Sequence, residues 1–335
     1  MMEYPKLLRG LLDGHVLDAN EAREFIGAVM DGAVTPVQAA GVLTALAARG
    51  ERVSEVVGAA QAMRERSLHV EHDLPVVVDV CGTGGDGADT INISTIVAFV
   101  VAACDVPVAK HGNRAASSAC GSADVLEMCN VPIDLDPQRA ASALKRFKFT
   151  FMFAARYHPA MKNIAPVRRE LGVRTLFNVL GPLTNPARAT HQVVGVARES
   201  QLELVGDALQ ALGSQAGAVI HGSGIDEVAG DRPTMVYAFN QERSQRWMLD
   251  PAVYGVNVPL CEIQGGSREE CRSAFISILE GEKSGRADVI ALNAGLALHV
   301  SGKAADIGEG LAMAREVLAN GKAYAIFDAL RSLPA

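Results

Sequence analysis

A buried strand followed at once by a glycine-rich loop and a helix is the feature that most constrains this fold. Val76-Val77-Val78-Asp79-Val80 is a β-branched run, typical of a strand covered on both faces. A loop from Cys81 to Asp89 follows, then a helical segment from Thr95 to Ala103 and a second strand near Val106 to Lys110. This order predicts neighbouring parallel strands in an α/β sheet.

Further strand-like runs extend the predicted sheet, at Gln192 to Val196, Ala218 to His221 and Met235 to Phe239, with helical segments between several of them. The first seventy or so residues contain helical patterns only. There, Asn20 can cap a helix from Glu21 to Met30, Thr35-Pro36 begins another, and Ser54 opens a third that ends near Arg66. We therefore expect a small all-helical domain at residues 1–73 beside a larger α/β domain with a mostly parallel central sheet.

The charge balance excludes a general nucleic-acid surface. Among 335 residues, 31 Lys and Arg stand against 38 Asp and Glu, a formal charge of −7. An anionic ligand must therefore be held by local groups.

The N-terminus lacks a signal-peptide core, and the most apolar stretch, Ile93 to Cys104, is too short to cross a bilayer. Six cysteines without a CxxC pair or a zinc-like pattern favour a reduced compartment, the cytoplasm.

The loop Gly82-Thr83-Gly84-Gly85-Asp86-Gly87 fits the GxGxxG pattern, but its context argues against a dinucleotide site. The second strand ends in Lys110, where such a site needs an acidic residue, and no Gly-Lys-Ser/Thr closes the loop. Glycines do let backbone N–H groups converge on an anion, and Asn92-Ile93-Ser94-Thr95 opens a helix whose free N–H groups favour phosphate. The alternative is a tight turn with ordinary helix caps.

A second loop, Lys110-His111-Gly112-Asn113-Arg114-Ala115-Ala116-Ser117-Ser118, follows the next strand. It offers two cations, a glycine and several hydroxyl or amide groups, at the strand end where open α/β sheets bind ligands. Cys120-Gly121-Ser122-Ala123-Asp124 then leads into a helix. Two such loops at adjacent strand ends suit a ligand with two separated phosphates. A solvated basic turn is the alternative.

Paired carboxylates follow the strand that ends at His221. Asp226 and Glu227 are hard oxygen donors that would suit Mg²⁺ facing a pyrophosphate, and Ser94 could supply a further oxygen to a second ion. On a loop, such a pair is otherwise ordinary solvated surface.

Three arginines are candidates for binding a substrate carboxylate. Arg168, Arg169 and Arg174 follow Arg156-Tyr157-His158-Pro159-Ala160-Met161-Lys162-Asn163, on what the pattern predicts to be one helix. One of them could form a bidentate ion pair with a carboxylate. Spacing alone does not choose among them, and an exposed helix face fits Arg169 and Arg174 equally well.

Taken in order, these segments resemble the anthranilate phosphoribosyltransferase family. The matching segments are Gly82-Thr83-Gly84-Gly85-Asp86, Asn92-Ile93-Ser94-Thr95, Lys110-His111-Gly112-Asn113-Arg114, Gly121-Ser122-Ala123-Asp124, His158-Pro159-Ala160-Met161, Asn178 to Pro186 and Asn293-Ala294-Gly295-Leu296-Ala297-Leu298. The likeness covers almost the whole chain, and the full ordered set is highly specific. It implies a nucleoside phosphorylase/phosphoribosyltransferase-like fold, with residues 165–187 returning to the helical domain and the larger domain formed by 74–164 and 188–335. It also implies an active site in the cleft between the domains and a homodimer built through the helical domain.

The resemblance further implies transfer of the phosphoribosyl group of phosphoribosyl pyrophosphate to the amine of anthranilate, in tryptophan biosynthesis, with two Mg²⁺ ions and no protein acid or base. The implied donor-binding residues are Gly82, Gly85, Asp86, Thr90, Asn92, Ser94, Thr95, Lys110, Asn113, Arg114, Ser117, Ser118 and Ser122. The implied anthranilate-binding residues are Gly82, Asn113 and Arg168, with His158 lining the acceptor side. The implied metal-binding residues are Ser94, Asp226 and Glu227.

Two departures and three competing functions accompany the resemblance. Ala119 and Ala155 stand where many relatives carry a basic residue and a proline, which bears on loop closure. Pyrimidine nucleoside phosphorylases share the architecture, and phosphorolysis of thymidine would reveal one. A nucleic-acid-binding relative should be basic and lack the acidic pair, unlike this chain. Transfer to another aromatic acid is the third alternative.

Overall fold

The computed structural model describes residues 3–115 and 119–333. The α-helices are α1 (Tyr4–Leu12), α2 (Ala19–Met30), α3 (Pro36–Arg49), α4 (Val53–Glu65), α5 (Ile93–Ala103), α6 (Ser122–Met128), α7 (Pro137–Phe147), α8 (Ala154–Tyr157), α9 (Ala165–Leu171), α10 (Phe177–Leu180), α11 (Leu202–Ala211), α12 (Leu260–Ile263), α13 (Arg268–Leu279), α14 (Gly285–Val300), α15 (Ile307–Ala319) and α16 (Lys322–Arg331). The strands are β1 (Val78–Gly82), β2 (Val108–Gly112), β3 (Phe149–Phe153), β4 (His191–Gly195), β5 (Ala216–His221), β6 (Thr234–Asn240) and β7 (Ser244–Leu249). Short 3₁₀ helices span Pro159–Asn163, Gly181–Thr184, Glu199–Gln201 and Pro251–Tyr254.

One seven-stranded sheet, in the order β3-β2-β1-β4-β5-β6-β7, forms the centre of the α/β part. Strands β3, β2, β1, β4 and β5 run parallel, whereas β6 and β7 are antiparallel to their neighbours. The expected fold class, a helical domain beside a mostly parallel sheet, is confirmed. Because the parallel strands end at one edge, the loops after β1, β2, β4 and β5 meet there.

The sequence patterns found the strands at β1, β2, β4, β5 and β6 but missed two. Strand β3 follows directly after α7, whose last turn passes into Lys148 at φ 58°. Strand β7 (Ser-Gln-Arg-Trp-Met-Leu) lies at the sheet edge and is largely exposed, so it lacks the apolar run of a buried strand.

Side-chain caps begin α2 and α3, whereas α1 and α4 have none, and two predicted helix starts differ from the structure. Asp18, not Asn20, caps α2, since its Oδ1 accepts a 2.9 Å hydrogen bond from the Glu21 amide and the Glu21 carboxylate accepts from the Asp18 amide. Thr35 caps α3 as expected, through a 3.3 Å bond from the Gln38 amide. Ser54 does not open α4, which begins one residue earlier at Val53.

Two apolar clusters hold the structure together. One surrounds α5, in which every residue except Ser94 is buried. The other joins α1–α4 to residues from Ile164 to Leu183 and to residues of β4, α11 and β6. Arg64 adds polar contacts, donating from Nε to the Leu183 carbonyl at 2.7 Å and from Nη1 to the Leu212 carbonyl at 3.2 Å. The helical bundle α1–α4 therefore shares an apolar core with residues 164–183, which lie between β3 and β4 in the chain.

Within residues 3–115 and 119–333, no helix has the length and hydropathy needed to cross a membrane. All six cysteines are free thiols, and only Cys261 is exposed.

Candidate active site

The glycine loop after β1 is shaped by left-handed backbone conformations. Gly84, Gly85 and Gly87 have φ values of 65°, 77° and 76°, which side chains other than glycine rarely adopt. The Gly84 amide donates to Asp226 Oδ2 at 2.8 Å. The next three amides, of Gly85, Asp86 and Gly87, donate to no acceptor in the described chain. Successive free N–H groups in such turns form a concavity suited to an anion.

Asp226 reaches this loop from β5 because glycines end the intervening strands. A Cβ on Gly195, the last residue of β4, would lie 1.6 Å from the Asp226 carbonyl oxygen. A Cβ on Gly82 would lie 2.3 Å from Asp226 Oδ2. Both contacts are impossible for any other residue unless the neighbouring atoms move. The close approach of three loops is therefore encoded by two glycines, one of which the sequence analysis did not single out.

The predicted metal ligands converge. The Asp226 amide donates to Asp86 Oδ2 at 3.1 Å, and the Ser94 amide donates to Glu227 Oε1 at 3.2 Å. Burial, and next the charge of Asp86, raises the pKa of Asp226 to about 7. Burial, together with the Asp226 charge, raises the pKa of Glu227 well above its usual value. These crowded carboxylates repel one another, and a divalent cation would relieve that repulsion.

The donor set suits Mg²⁺, since Asp226, Glu227 and the Ser94 hydroxyl are all hard oxygen ligands. In the part of the chain that the structure describes, no three or more His, Cys, Asp or Glu side chains form a complete metal site. A magnesium ion here would therefore take its remaining ligands from water and from phosphate oxygens of a ligand, as Mg²⁺ commonly does.

Lys110 is buried beneath these acids rather than exposed on its loop. The residue is 1% exposed, and its ammonium donates to the Val80 carbonyl at 2.6 Å and to Ser94 Oγ at 3.1 Å. Its positive charge lowers the pKa of both Asp79 and Glu227, against the larger effect of burial. Lys110 thus holds Ser94 in place and partly balances the acidic cluster.

The loop after β2 is organised by Asp124, whose role the sequence analysis missed. Asp124 Oδ2 accepts bonds from the Ala115 amide at 2.8 Å and from the Gly121 amide at 2.9 Å. The only sequence signal was an acid three residues after Gly121, where a capping box places one. The predicted donor residues Ser117 and Ser118 lie outside the described residues.

The remaining predicted donor residues differ in their surroundings. Asn113 is exposed, and its carbonyl accepts from Ser122 Oγ at 3.2 Å. The Arg114 guanidinium forms an ion pair with Glu127. Asn92 Nδ2 donates to the Cys120 carbonyl at 3.0 Å, so Asn92 links the loops after β1 and β2. Its Oδ1 is buried and has no partner among residues 3–115 and 119–333.

Thr90 and Thr95 lie at the base of the glycine loop. Thr90 forms an antiparallel bridge with Gln264, and Thr95 is buried in the first turn of α5. Thr95 is therefore placed to support the start of this helix from within the core.

The three candidate arginines have separate surroundings, and one placement was wrong. Helix α9 carries Arg168 and Arg169 but ends before Gly172, so Arg174 is not on it. Arg169 is exposed. The Arg168 guanidinium lies 5.5 Å from the Phe177 ring centroid, has no ion-pair partner within the described ranges, and has its pKa lowered by burial. An unpaired, half-buried guanidinium is available to a carboxylate ligand.

Two buried imidazoles lie beside the loop after β2. The rings of His111 and His158 are 5.0 Å apart, and burial lowers the pKa of His111 to about 3 and that of His158 to about 4. Both are therefore neutral near pH 7. Beneath them the buried Asp79, also missed from the sequence, accepts bonds from Asn185 Nδ2 at 2.7 Å and from the His111 amide at 3.3 Å.

Comparison with known proteins identifies the family of this fold and site. Residues 74–324 match the glycosyl transferase family a/b domain, and residues 5–67 match the helical bundle domain of the glycosyl transferase family. An anthranilate phosphoribosyltransferase of Thermomicrobium roseum is 44% identical over 98% of this chain and 96% of that protein. The chain belongs to the anthranilate phosphoribosyltransferase family. This finding confirms the resemblance drawn from the sequence motifs.

Solved structures of other family members share the whole fold. The crystal structure of the anthranilate phosphoribosyltransferase from Thermus thermophilus superposes with a TM-score of 0.93, at 43% identity, and each chain covers 99% of the other. The Saccharomyces cerevisiae enzyme, solved in complex with PRPP and Mg, superposes with a TM-score of 0.88 at 24% identity, and each chain covers 98% of the other.

Proposed function

We propose that this chain performs the reaction of its family through the site at the carboxyl edge of the sheet. It transfers the phosphoribosyl group of phosphoribosyl pyrophosphate to the amine of anthranilate, releasing pyrophosphate, in tryptophan biosynthesis. The observation that carries the assignment of the site is the meeting of three groups at one sheet edge. These are the free amides of the glycine loop, the pair Asp226 and Glu227, and the buried Lys110.

The donor lies across the loops after β1 and β2. The amides of Gly85 and Asp86 and the start of α5 take one phosphate group, and residues from Asn113 to Ser122 take the other. Gly82 allows close approach of the ribose because it has no side chain. No residue has to supply a proton to the leaving group, since pyrophosphate is already a stable anion.

Magnesium is the cofactor of this proposal, and the family member from Saccharomyces cerevisiae was solved with PRPP and Mg. Asp226 and Glu227 would hold one ion and Ser94 a second. When bound, Mg²⁺ neutralises charge on the pyrophosphate and so improves it as a leaving group. The protein's part is to fix the oxygen ligands and to keep them ionised, which Lys110 favours for Glu227.

Anthranilate binds on the side of the helical domain. Arg168 pairs with its carboxylate, while Asn113 and Gly82 complete the contact toward the donor. The aromatic amine is unprotonated near neutral pH, so its lone pair needs no strong base, and the neutral His111 and His158 provide surface without adding charge. Catalysis is then orientation plus charge neutralisation, which can supply about 7–11 kcal/mol for well-aligned reactants.

The wider organisation belongs to the same proposal. The functional unit is a cytoplasmic homodimer joined through the helical domain. That domain comprises residues 1–73 and 165–187, and the donor-binding domain comprises 74–164 and 188–335. Sedimentation of the purified protein tests the dimer directly.

The reaction is tested by measuring pyrophosphate release from phosphoribosyl pyrophosphate and Mg²⁺, with and without anthranilate. We expect rapid release only when both substrates and the metal are present, with an equal amount of phosphoribosyl anthranilate formed. Release that does not depend on anthranilate, or phosphorolysis of thymidine instead, would overturn the proposal.

A further inference from the structure

Arg174 contacts the glycine loop from the segment that follows α9. Its Nη1 lies 3.4 Å from the carbonyl oxygens of both Gly84 and Gly85. The fit is close, because a Cβ on Gly85 would lie 2.5 Å from the same nitrogen. One guanidinium therefore bridges two consecutive peptide groups of the loop.

The planarity of the peptide bond gives this contact a directional consequence. The C=O of one residue and the N–H of the next belong to one rigid plane and point in opposite directions in a trans peptide. Arg174 attracts the carbonyls of Gly84 and Gly85, so the amides of Gly85 and Asp86 are turned away from it. These are two of the three successive amides that have no acceptor in the described chain.

Glycine has no steric preference that would fix these peptides by itself. At φ 65° and 77°, Gly84 and Gly85 can rotate toward several other conformations at little cost. Asp226 holds the Gly84 amide on one side, at 2.8 Å. Arg174 holds the next two peptide groups through their carbonyls, and the Thr83 hydroxyl also donates to the Gly84 carbonyl, at 3.5 Å.

Arg174 is partly buried, and its surroundings act on its charge in opposite directions. Within the described residues its Nη2 is buried without a hydrogen-bond partner, and burial, with the nearby charge of Arg198, lowers the pKa of the guanidinium. The charge of Asp226 acts in the opposite direction and favours the cation.

We infer that Arg174 is a positioning residue for the phosphoribosyl donor, which orients the amides of Gly85 and Asp86 toward a phosphate group by holding the two preceding carbonyls. This inference rests on the proposed function and deepens it. It also distinguishes the arginines of one short segment, since Arg168 serves the acceptor and Arg174 the donor loop.

The test compares Arg174→Ala and Arg174→Lys with the matched control Arg169→Ala, in which an exposed arginine is removed from the same segment. For Arg174→Ala we expect the KM for phosphoribosyl pyrophosphate and the inhibition constant of pyrophosphate to rise together by about tenfold, the usual effect of losing a charged hydrogen bond. The KM for anthranilate should change less than about twofold, since Arg168 is intact. Arg174→Lys keeps the charge but not the bridging geometry, so it should fall between wild type and Arg174→Ala.

A double-mutant cycle with Gly85→Ala tests whether Arg174 acts on the donor through these two peptide groups. Both substitutions disturb the same two peptides, so their combined effect on the donor KM should be clearly smaller than the product of the single effects. Thermal unfolding of each variant identifies any that fails to fold. If Arg174→Ala does not fold, the donor KM of Arg174→Lys provides the test.

An unchanged donor KM in a folded Arg174 variant, an increase confined to the anthranilate KM, or strictly multiplicative effects in the cycle would each overturn the inference. Failure of the wild-type protein to release pyrophosphate would instead count against the proposed function.

Discussion

The Gly84 amide nitrogen and Asp226 Oδ2 lie 2.8 Å apart, although 142 positions separate the two residues in sequence. The contact joins the loop after β1 to the loop after β5, across the end of β4. Asp226 therefore has two functions in one side chain, as a support for the glycine loop and as a proposed ligand of Mg²⁺.

Asp226→Asn should reduce kcat/KM by about 100-fold or more, comparable to the loss of one preorganised electrostatic contact. The amide can still accept the Gly84 hydrogen bond but carries no charge for the metal. Higher Mg²⁺ concentrations should therefore be required for half-maximal activity, which steady-state assays over a magnesium series would reveal. Asp231→Asn is the control, because that carboxylate pairs with Arg232 outside the site. An unaltered magnesium requirement in Asp226→Asn would remove Asp226 from the metal site.

Arg168→Ala should raise the KM for anthranilate by about 10- to 100-fold, the range expected for a lost charged hydrogen bond of about 1.5–3 kcal/mol. The KM for the donor should change far less, since no contact joins Arg168 to the glycine loop in the described chain. Initial-rate measurements with each substrate varied in turn would separate the two constants. Arg169→Ala should behave as wild type. An anthranilate KM that does not respond to Arg168→Ala would exclude this residue from acceptor binding.

Gly195→Ala should remove most activity and lower the melting temperature. The added methyl would lie 1.6 Å from the Asp226 carbonyl oxygen, so the loop that carries Asp226 and Glu227 has to move. Forced overpacking of this kind typically costs about 1–3 kcal/mol. The melting temperature, measured by calorimetry, and the turnover number should fall together. In Gly10→Ala the nearest atom is the Cβ of His15 at 3.6 Å, so that variant should retain both stability and activity.

The buried His111 should make the protein less stable in mild acid. Because burial lowers its pKa in the folded state from 6.5 to about 3, the unfolded chain binds a proton that the folded chain does not. Stability from this group is therefore present above about pH 6.5 and falls as the pH drops toward 3, by up to about 1.4 kcal/mol per pH unit. The stability of His111→Gln should depend on pH with a slope smaller by about one proton between about pH 4 and 6.

Urea unfolding at several pH values measures that slope. Equal slopes for wild type and His111→Gln would show that His111 is not held neutral by burial.

The sequence predicted those parts of the fold that local patterns specify. The β-branched run at Val76 to Val80 indicates a strand, and β1 spans Val78–Gly82. The glycines after it indicate a tight turn, and Gly84, Gly85 and Gly87 adopt left-handed φ values. The sequence did not predict strand β7, because an exposed edge strand carries no apolar run. Asn20 and Asp18 both suit an N-cap by residue type, and the hydrogen bond that the Glu21 amide donates to Asp18 decides for Asp18.

The sequence predicted the candidate ligating groups that the structure brings together, but not the residues that arrange them. Asp79 bonds to the His111 amide and to Asn185 Nδ2, which lie 32 and 106 positions away, and no spacing in the sequence marks such pairs. Asp124 also bonds to the Ala115 amide, which the capping-box spacing from Gly121 does not reveal. Arg174 was noticed only as one of three arginines. Its contact with Gly84 and Gly85 depends on the chain turning at Gly172, where φ is 63°, and on the distant loop lying opposite.

The apolar cluster that unites α1–α4 with residues 164–183 also bears on how the protein is made. A ribosome releases the first four helices long before it adds the residues that complete their core. Chains are synthesised and fold from the N-terminus. The apolar faces of these helices therefore stay uncovered until β1–β3 and then residues 164–183 have been synthesised. Newly made N-terminal segments are therefore natural clients for chaperones, and a fragment truncated after α4 should aggregate rather than fold.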